Sequence, residues 1–147
     1  ELKCLQINLQ HSRAATSNLM QIINQHHLDI VFVQEPYMLN NKISGIPRKY
    51  KIFSRGNKTR AAILIANSQI DAIIINQISD DDTRVLEIMY GNLKLYAISM
   101  YLDIEKDMNI DFLKTDNILS FTKGANSIIW TNSNARSTMS KPISEGN

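Results

Sequence analysis

Four apolar runs in this chain end in residues that can bind a phosphate or a hard cation. Leu2–Asn8 closes on Asn8, with Gln10 and His11 just beyond. Asp29–Val33 runs into Gln34-Glu35. Leu93–Ala97 runs through Ile98 into Ser99, Tyr101 and Asp103. Ser127–Trp130 leads to Asn132 and Asn134. In an α/β protein, ligands gather at the carboxyl ends of strands. One polar strand end is commonplace; four that deliver Asn, Glu, Tyr/Asp and Asn-x-Asn make a narrower pattern. A single carboxylate among amide oxygens suits Mg²⁺, which takes one or two carboxylates and keeps several waters. A Tyr hydroxyl and Asn amides can donate to the nonbridging oxygens of a phosphate. Metal and donors together offset the charge that develops in phosphodiester hydrolysis.

The elements that must carry these residues read as follows. Leu2–Asn8 is a strand. Ser12 caps a helix from Arg13 to about His26, whose Ala15, Leu19, Ile22 and Ile23 form one apolar stripe. Ile30–Val33 lacks alternation and predicts a strand buried on both faces, ended by Pro36, which has no N–H for a ladder. Strand, helix, strand is a βαβ-like opening. Residues 38–60 read as a basic loop around a short strand at Tyr50–Phe53. Strands follow at Ala61–Ala66, Ile70–Ile75, Arg84–Met89 and Leu93–Ser99, the last two joined by a hairpin turn at Tyr90-Gly91-Asn92. Leu93, Leu95 and Ala97 point to one inward face. A helix is expected over Glu105–Phe121, ended near Gly124, then the strand Ser127–Trp130. Ala135–Asn147 is polar and irregular. About seven strands and two helices predict one α/β domain.

Composition removes several classes. With 147 residues, 44% hydrophobic and 20% charged, the chain is globular rather than disordered. Sixteen Lys and Arg against fourteen Asp and Glu leave +2, too mild to announce or exclude a nucleic-acid partner. One cysteine, Cys4, cannot make an intrachain disulfide or, alone, a zinc site. It reads as a small core hydrophobe. No apolar run approaches the ~20 residues of a membrane span, and Glu1-Leu2-Lys3-Cys4 is no signal peptide. A nuclear or cytoplasmic protein without a membrane partner is expected. The run Asp80-Asp81-Asp82 reads as an acidic turn between strands. His11 reads as a solvent-facing residue ahead of the helix cap. Asp103 reads as the cap of the helix that follows it.

Gln6-Ile7-Asn8-Leu9-Gln10-His11-Ser12-Arg13-Ala14-Ala15 resembles the opening of the endonuclease domain of non-LTR (LINE-type) retrotransposons, of the R1/TRAS-like group. Val33-Gln34-Glu35-Pro36-Tyr37 resembles the second motif of that family. Ile98-Ser99-Met100-Tyr101-Leu102-Asp103-Ile104 resembles its tyrosine strand, and Asn134-Ala135-Arg136-Ser137 the tail of its Gly/Ala-Asp-x-Asn-Ala-x-Ser motif. The four stretches occur in order over residues 1 to about 140.

The resemblance implies an endonuclease/exonuclease/phosphatase-like α/β sandwich, two packed sheets flanked by helices, C-terminally incomplete in this chain. It implies a partial domain over 1–147 that hydrolyses DNA phosphodiesters with Mg²⁺ or Mn²⁺, in a protein that also carries a reverse-transcriptase domain. It implies Glu35 and Asn8 as metal residues, with Tyr101, Asn132 and Asn134 at the catalytic positions. Arg48, Lys49, Arg55, Lys58 and Arg60 could track the DNA backbone. Three departures stand out. Asn132 occupies the place of the family's Asp, and an amide cannot take a proton from water. Trp130-Thr131 replaces small residues, and Ser140 replaces the family's Trp. The chain ends at Asn147 without the family's Ser-Asp-His-type motif. Weak or absent nicking is therefore expected. The alternatives are a non-catalytic copy that binds DNA weakly and a phosphatase of small phosphoesters.

Overall fold

The structure is a computed structural model that describes residues 2–54, 58–102, 116–120, 122–124, 126–133 and 143–145. It opens as the sequence predicts. Strand β1 (Cys4–Asn8) leads through helix α1 (Arg13–His26) to strand β2 (Ile30–Gln34). The two strands pair in parallel, with Asn8 opposite Gln34. Ser12 starts α1 by accepting a hydrogen bond from the Ala15 amide at 3.1 Å, and His27 closes it in the left-handed region. Ser12→Ala should therefore cost about 1 kcal/mol of stability, read as a lower urea midpoint with an unchanged slope.

Short strands follow: β3 (Met38–Leu39), β4 (Lys42–Ile43), β5 (Lys51–Phe53) and β6 (Ala61–Ile65). The hairpin of β3 and β4 is a correction to the loop expected over 38–60. Asn40 and Asn41 are its two turn residues, both with positive φ, the pattern of a type I′ turn. Strands β7 (Asp71–Ile74), β8 (Thr83–Tyr90), β9 (Leu93–Leu102), β10 (Ser127–Ser133) and β11 (Ile143–Glu145) complete the described elements. The expected hairpin at Gly91-Asn92 joins β8 to β9. β9 and β10 both run longer than expected, so Tyr101 and Asn132 lie within strands rather than beyond them. β11 is a further correction, since 135–147 was expected to be irregular. Of the helix expected over Glu105–Phe121, residues 116–120 are described and are helical; Asp103 lies outside the described residues.

Besides the two-stranded β3-β4 sheet, the described strands form two larger sheets, in the orders β1-β2-β6-β5 and β11-β10-β9-β8-β7. They pack face to face through Phe32, Ile63, Leu86, Ile88 and Ala97, all fully buried. The opposite face of the first sheet buries Val31, Val33, Ala62 and Leu64 against Leu19 and Ile23 of α1. The outer face of the second sheet buries Val85, Ile98 and Met100 against Ile118 of the helical segment. Layering of helix, sheet, sheet and helix explains why β2 and β6 are apolar without alternation: both of their faces are covered. Burial of each large aliphatic side chain contributes about 1.5–3 kcal/mol. Leu95 and Ala97 face the core as expected, but Leu93 is exposed beside the hairpin turn. Cys4 packs against the inter-sheet core, and burial first, then Asp29, pushes its thiol up to about 11. It is a protonated thiol at neutral pH, hence unreactive. No helix among the described residues is long and apolar enough to cross a membrane.

Candidate active site at the converging strand ends

Strand direction decides what meets at one edge of the sandwich. β1, β2, β9 and β10 bring their carboxyl ends, while the antiparallel β6 and β8 bring their amino ends. That edge therefore gathers Asn8, Gln34-Glu35, Tyr101 and Asn132, and also Arg60 and Asp82, which immediately precede β6 and β8. Asn132 is the register partner of Tyr101. The edge is polar because the apolar runs of β1, β2 and β6 stop there.

The backbone is unusual at this point. Gln10, His11 and Glu35 have φ of +50°, +57° and +47°, in a region that residues other than glycine seldom enter. They touch one another: the His11 amide donates to the Glu35 carbonyl at 2.9 Å, and His11 Nδ1 lies 3.0 Å from the Pro36 carbonyl. His11 is thus exposed, as expected, yet fixed to the Glu35 segment. Left-handed backbone at three touching residues costs energy that the surrounding hydrogen bonds must offset, and such strain clusters at functional sites. Here it falls directly after β2, while the Glu35 amide still pairs with the Arg60 carbonyl at 2.9 Å.

The Glu35 carboxylate accepts a hydrogen bond from the Tyr101 hydroxyl at 3.2 Å, a contact that joins the two sheets. Asn8 Oδ1 accepts from the Gln10 amide at 2.8 Å, which folds the chain back after β1. Below them, the fully buried Gln34 donates to Ser99 Oγ at 2.8 Å, again from sheet to sheet. Gln34 Oε1 has no hydrogen-bond partner among the described residues. Ser99→Ala would leave the whole Gln34 amide unpaired. A loss of about 1–3 kcal/mol is expected, measurable by urea denaturation.

Arg60 and Asp82 were not expected to belong together. The guanidinium holds the Asp82 carboxylate side-on, Nε to Oδ1 at 2.7 Å and Nη2 to Oδ2 at 3.0 Å. It also lies over the Tyr101 ring, 4.6 Å from the centroid. The acidic run 80–82 is a turn, as expected, but its last member is buried and bound to Arg60. The only sequence signal was position: each residue stands just ahead of an apolar strand. Arg48, Lys49 and Lys58 are exposed on the 38–60 segment, with the Lys49 ammonium 5.1 Å from the centroid of the Tyr50 ring. Arg55 and Asn134 lie outside the described residues.

The oxygen donors at this edge suit a hard divalent cation. They are the half-buried Glu35 carboxylate and the Asn8 amide oxygen, with the buried Gln34 amide oxygen beneath them; the Asp82 carboxylate of the same edge is taken up by Arg60. Among the described residues no three His, Cys, Asp or Glu side chains cluster.

This architecture is the endonuclease/exonuclease/phosphatase fold. Within it, the chain is similar to the endonuclease domain of TRAS1, a telomere-specific non-LTR retrotransposon. The TM-score is 0.80 at 22% identity, covering 94% of this chain and 61% of that one. An endonuclease/exonuclease/phosphatase family protein from Bacteroides thetaiotaomicron matches with TM-score 0.64 at 12% identity, over 88% of this chain and 62% of its own. TDP2 from D. rerio, solved with a single-strand DNA product, matches with TM-score 0.59 at 17% identity, over 92% of this chain and 62% of its own. The chain thus spans less than two thirds of each of these structures. No protein-family model and no curated protein sequence matches it.

Proposed function

We propose that this chain is the DNA-nicking segment of a non-LTR-retrotransposon-type protein, and that it hydrolyses one phosphodiester slowly with Mg²⁺ or Mn²⁺. The observation that carries the reading is the Tyr101–Glu35 hydrogen bond where strands of both sheets converge. A carboxylate and a phenol at such an edge can address the cation and the phosphate of one substrate group. The fold shared with the TRAS1 endonuclease domain supports DNA as that substrate.

Glu35 would hold the cation, with Asn8 supporting it. When bound, the cation polarises the phosphodiester and offsets charge on the leaving oxygen. The Tyr101 hydroxyl would donate to a nonbridging phosphate oxygen, exchanging its present partner Glu35 for the substrate. Asn134 would donate to the same phosphate. Water attacks phosphorus, the P–O bond to the leaving sugar oxygen breaks, and that oxygen takes up a proton. Asn132 can orient the attacking water but cannot accept its proton, so deprotonation falls to solvent and turnover is slow. The exposed Arg48, Lys49 and Lys58, together with Arg55, would follow the DNA backbone, with affinity that falls as salt rises.

Incubation with supercoiled plasmid, and separately with an inositol phosphate, tests the reading. Open circles that form slowly with Mg²⁺, stop with EDTA and come without release of inorganic phosphate are the expected result. Phosphate release without nicking would instead mean a small-phosphoester phosphatase. A salt-sensitive gel shift without any nicking would mean a non-catalytic DNA-binding copy.

A further inference from the structure

We infer that the Arg60–Asp82 pair positions Tyr101 and thereby sets the Tyr101–Glu35 geometry. The kinetic part of this inference rests on the proposed nicking function; its spectroscopic part does not.

Three observations converge on it. The first is the side-on ion pair at 2.7 and 3.0 Å, with the Asp82 side chain only 5% exposed. Two parallel charge-assisted bonds fix the plane of the guanidinium as well as its place, unlike a surface pair of long mobile side chains. The second is that this fixed plane covers the Tyr101 ring at 4.6 Å. The third is backbone wiring. The Glu35 amide donates to the Arg60 carbonyl at 2.9 Å, and the Tyr101 amide donates to the Asp82 carbonyl at 2.7 Å. Arg60 therefore belongs to the same hydrogen-bonded unit as Glu35, and Asp82 to the unit of Tyr101. Their side chains clasp the two sheets beside the contact between carboxylate and phenol. The Arg60 amide strengthens the clasp by donating to the Asp81 carbonyl at 2.7 Å.

Lysine cannot replace this arginine, because an ammonium is a point charge without a plane to stack or a fork to hold a carboxylate. Arg60 is thus a positioning residue rather than a phosphate contact. A shift of the phenol by about 1 Å can cost on the order of 10²-fold in rate.

Carbon-13 labelling of the tyrosine rings, with the Tyr101 signal assigned through Tyr101→Phe, gives a readout free of activity. The Tyr101 ring signal is expected to move in Arg60→Gln, Asp82→Asn and Arg60→Lys, the last of which keeps the charge beside Asp82. In plasmid nicking, Arg60→Lys and Arg60→Gln should lower kcat by roughly 10–10²-fold with KM for DNA unchanged. Arg60→Gln should add little in a Tyr101→Phe background. An unmoved Tyr101 signal in Arg60→Lys would overturn the inference. So would a raised KM at unchanged kcat, which would mark Arg60 as a phosphate contact. If the wild-type chain does not nick at all, the proposed function fails, while the ring signals still decide the positioning role.

Discussion

Asn132→Asp is expected to accelerate plasmid nicking by this chain by roughly 10²–10⁴-fold, the usual yield of a positioned general base. The argument combines chemistry and register. Asn132 is the strand partner of Tyr101, so position 132 lies at the edge that carries Glu35. Asparagine and aspartate have nearly the same shape, so the exchange tests basicity with little change in packing. An Asp oxygen can take the proton that water must lose as it attacks phosphorus; an amide oxygen cannot. A gain below about threefold would remove position 132 from the chemistry, and the slow rate would need another cause.

Glu35→Gln is the second large effect, in the opposite direction. Loss of metal-assisted charge stabilisation worth several kcal/mol corresponds to a rate lower by roughly 10³-fold or more, at about 1.4 kcal/mol per factor of ten. The variant should retain DNA binding, because the exposed basic side chains of 38–60 lie on another segment. It should fold, because the glutamine oxygen can still accept from Tyr101 and the backbone bonds of residue 35 are untouched. Nicking rates under saturating Mg²⁺, with gel shifts at matched salt, separate the two effects. Equal losses of binding and of turnover would place Glu35 outside metal chemistry.

The contrast between legible and hidden features has a physical origin. Ser12 and the apolar stripe of α1 are local signals, and the helix runs over the predicted Arg13–His26. Ile30–Val33 also reads correctly, because burial on both faces leaves an unbroken apolar run. Glu35 and Asn8 were legible as polar residues at the ends of such runs. The ends of β9 and β10 were misjudged because the strands continue past polar residues, Ser99 in β9 and Asn132 in β10. Ser99 is fully buried there and satisfied by Gln34 across the sandwich. The β3–β4 hairpin was hidden by its two-residue strands, although Asn40-Asn41 was visible as a turn. Arg60 and Asp82 were invisible as a pair for a different reason. One sits in a basic run and the other in an acidic run, 22 positions apart. Only antiparallel strands from two different sheets bring their amino ends to the edge where the parallel strands end.

The most direct measurement is the time course of open-circle formation from supercoiled plasmid, at fixed Mg²⁺, for the wild-type chain, Asn132→Asp, and Asn132→Asp combined with Glu35→Gln. Slow nicking by the wild type, a gain of roughly 10²–10⁴-fold with Asn132→Asp, and loss of that gain when Glu35 is also replaced are expected. Nicking by Asn132→Asp that survives Glu35→Gln, or no nicking by any of the three, would contradict an active site built on Glu35 and Tyr101.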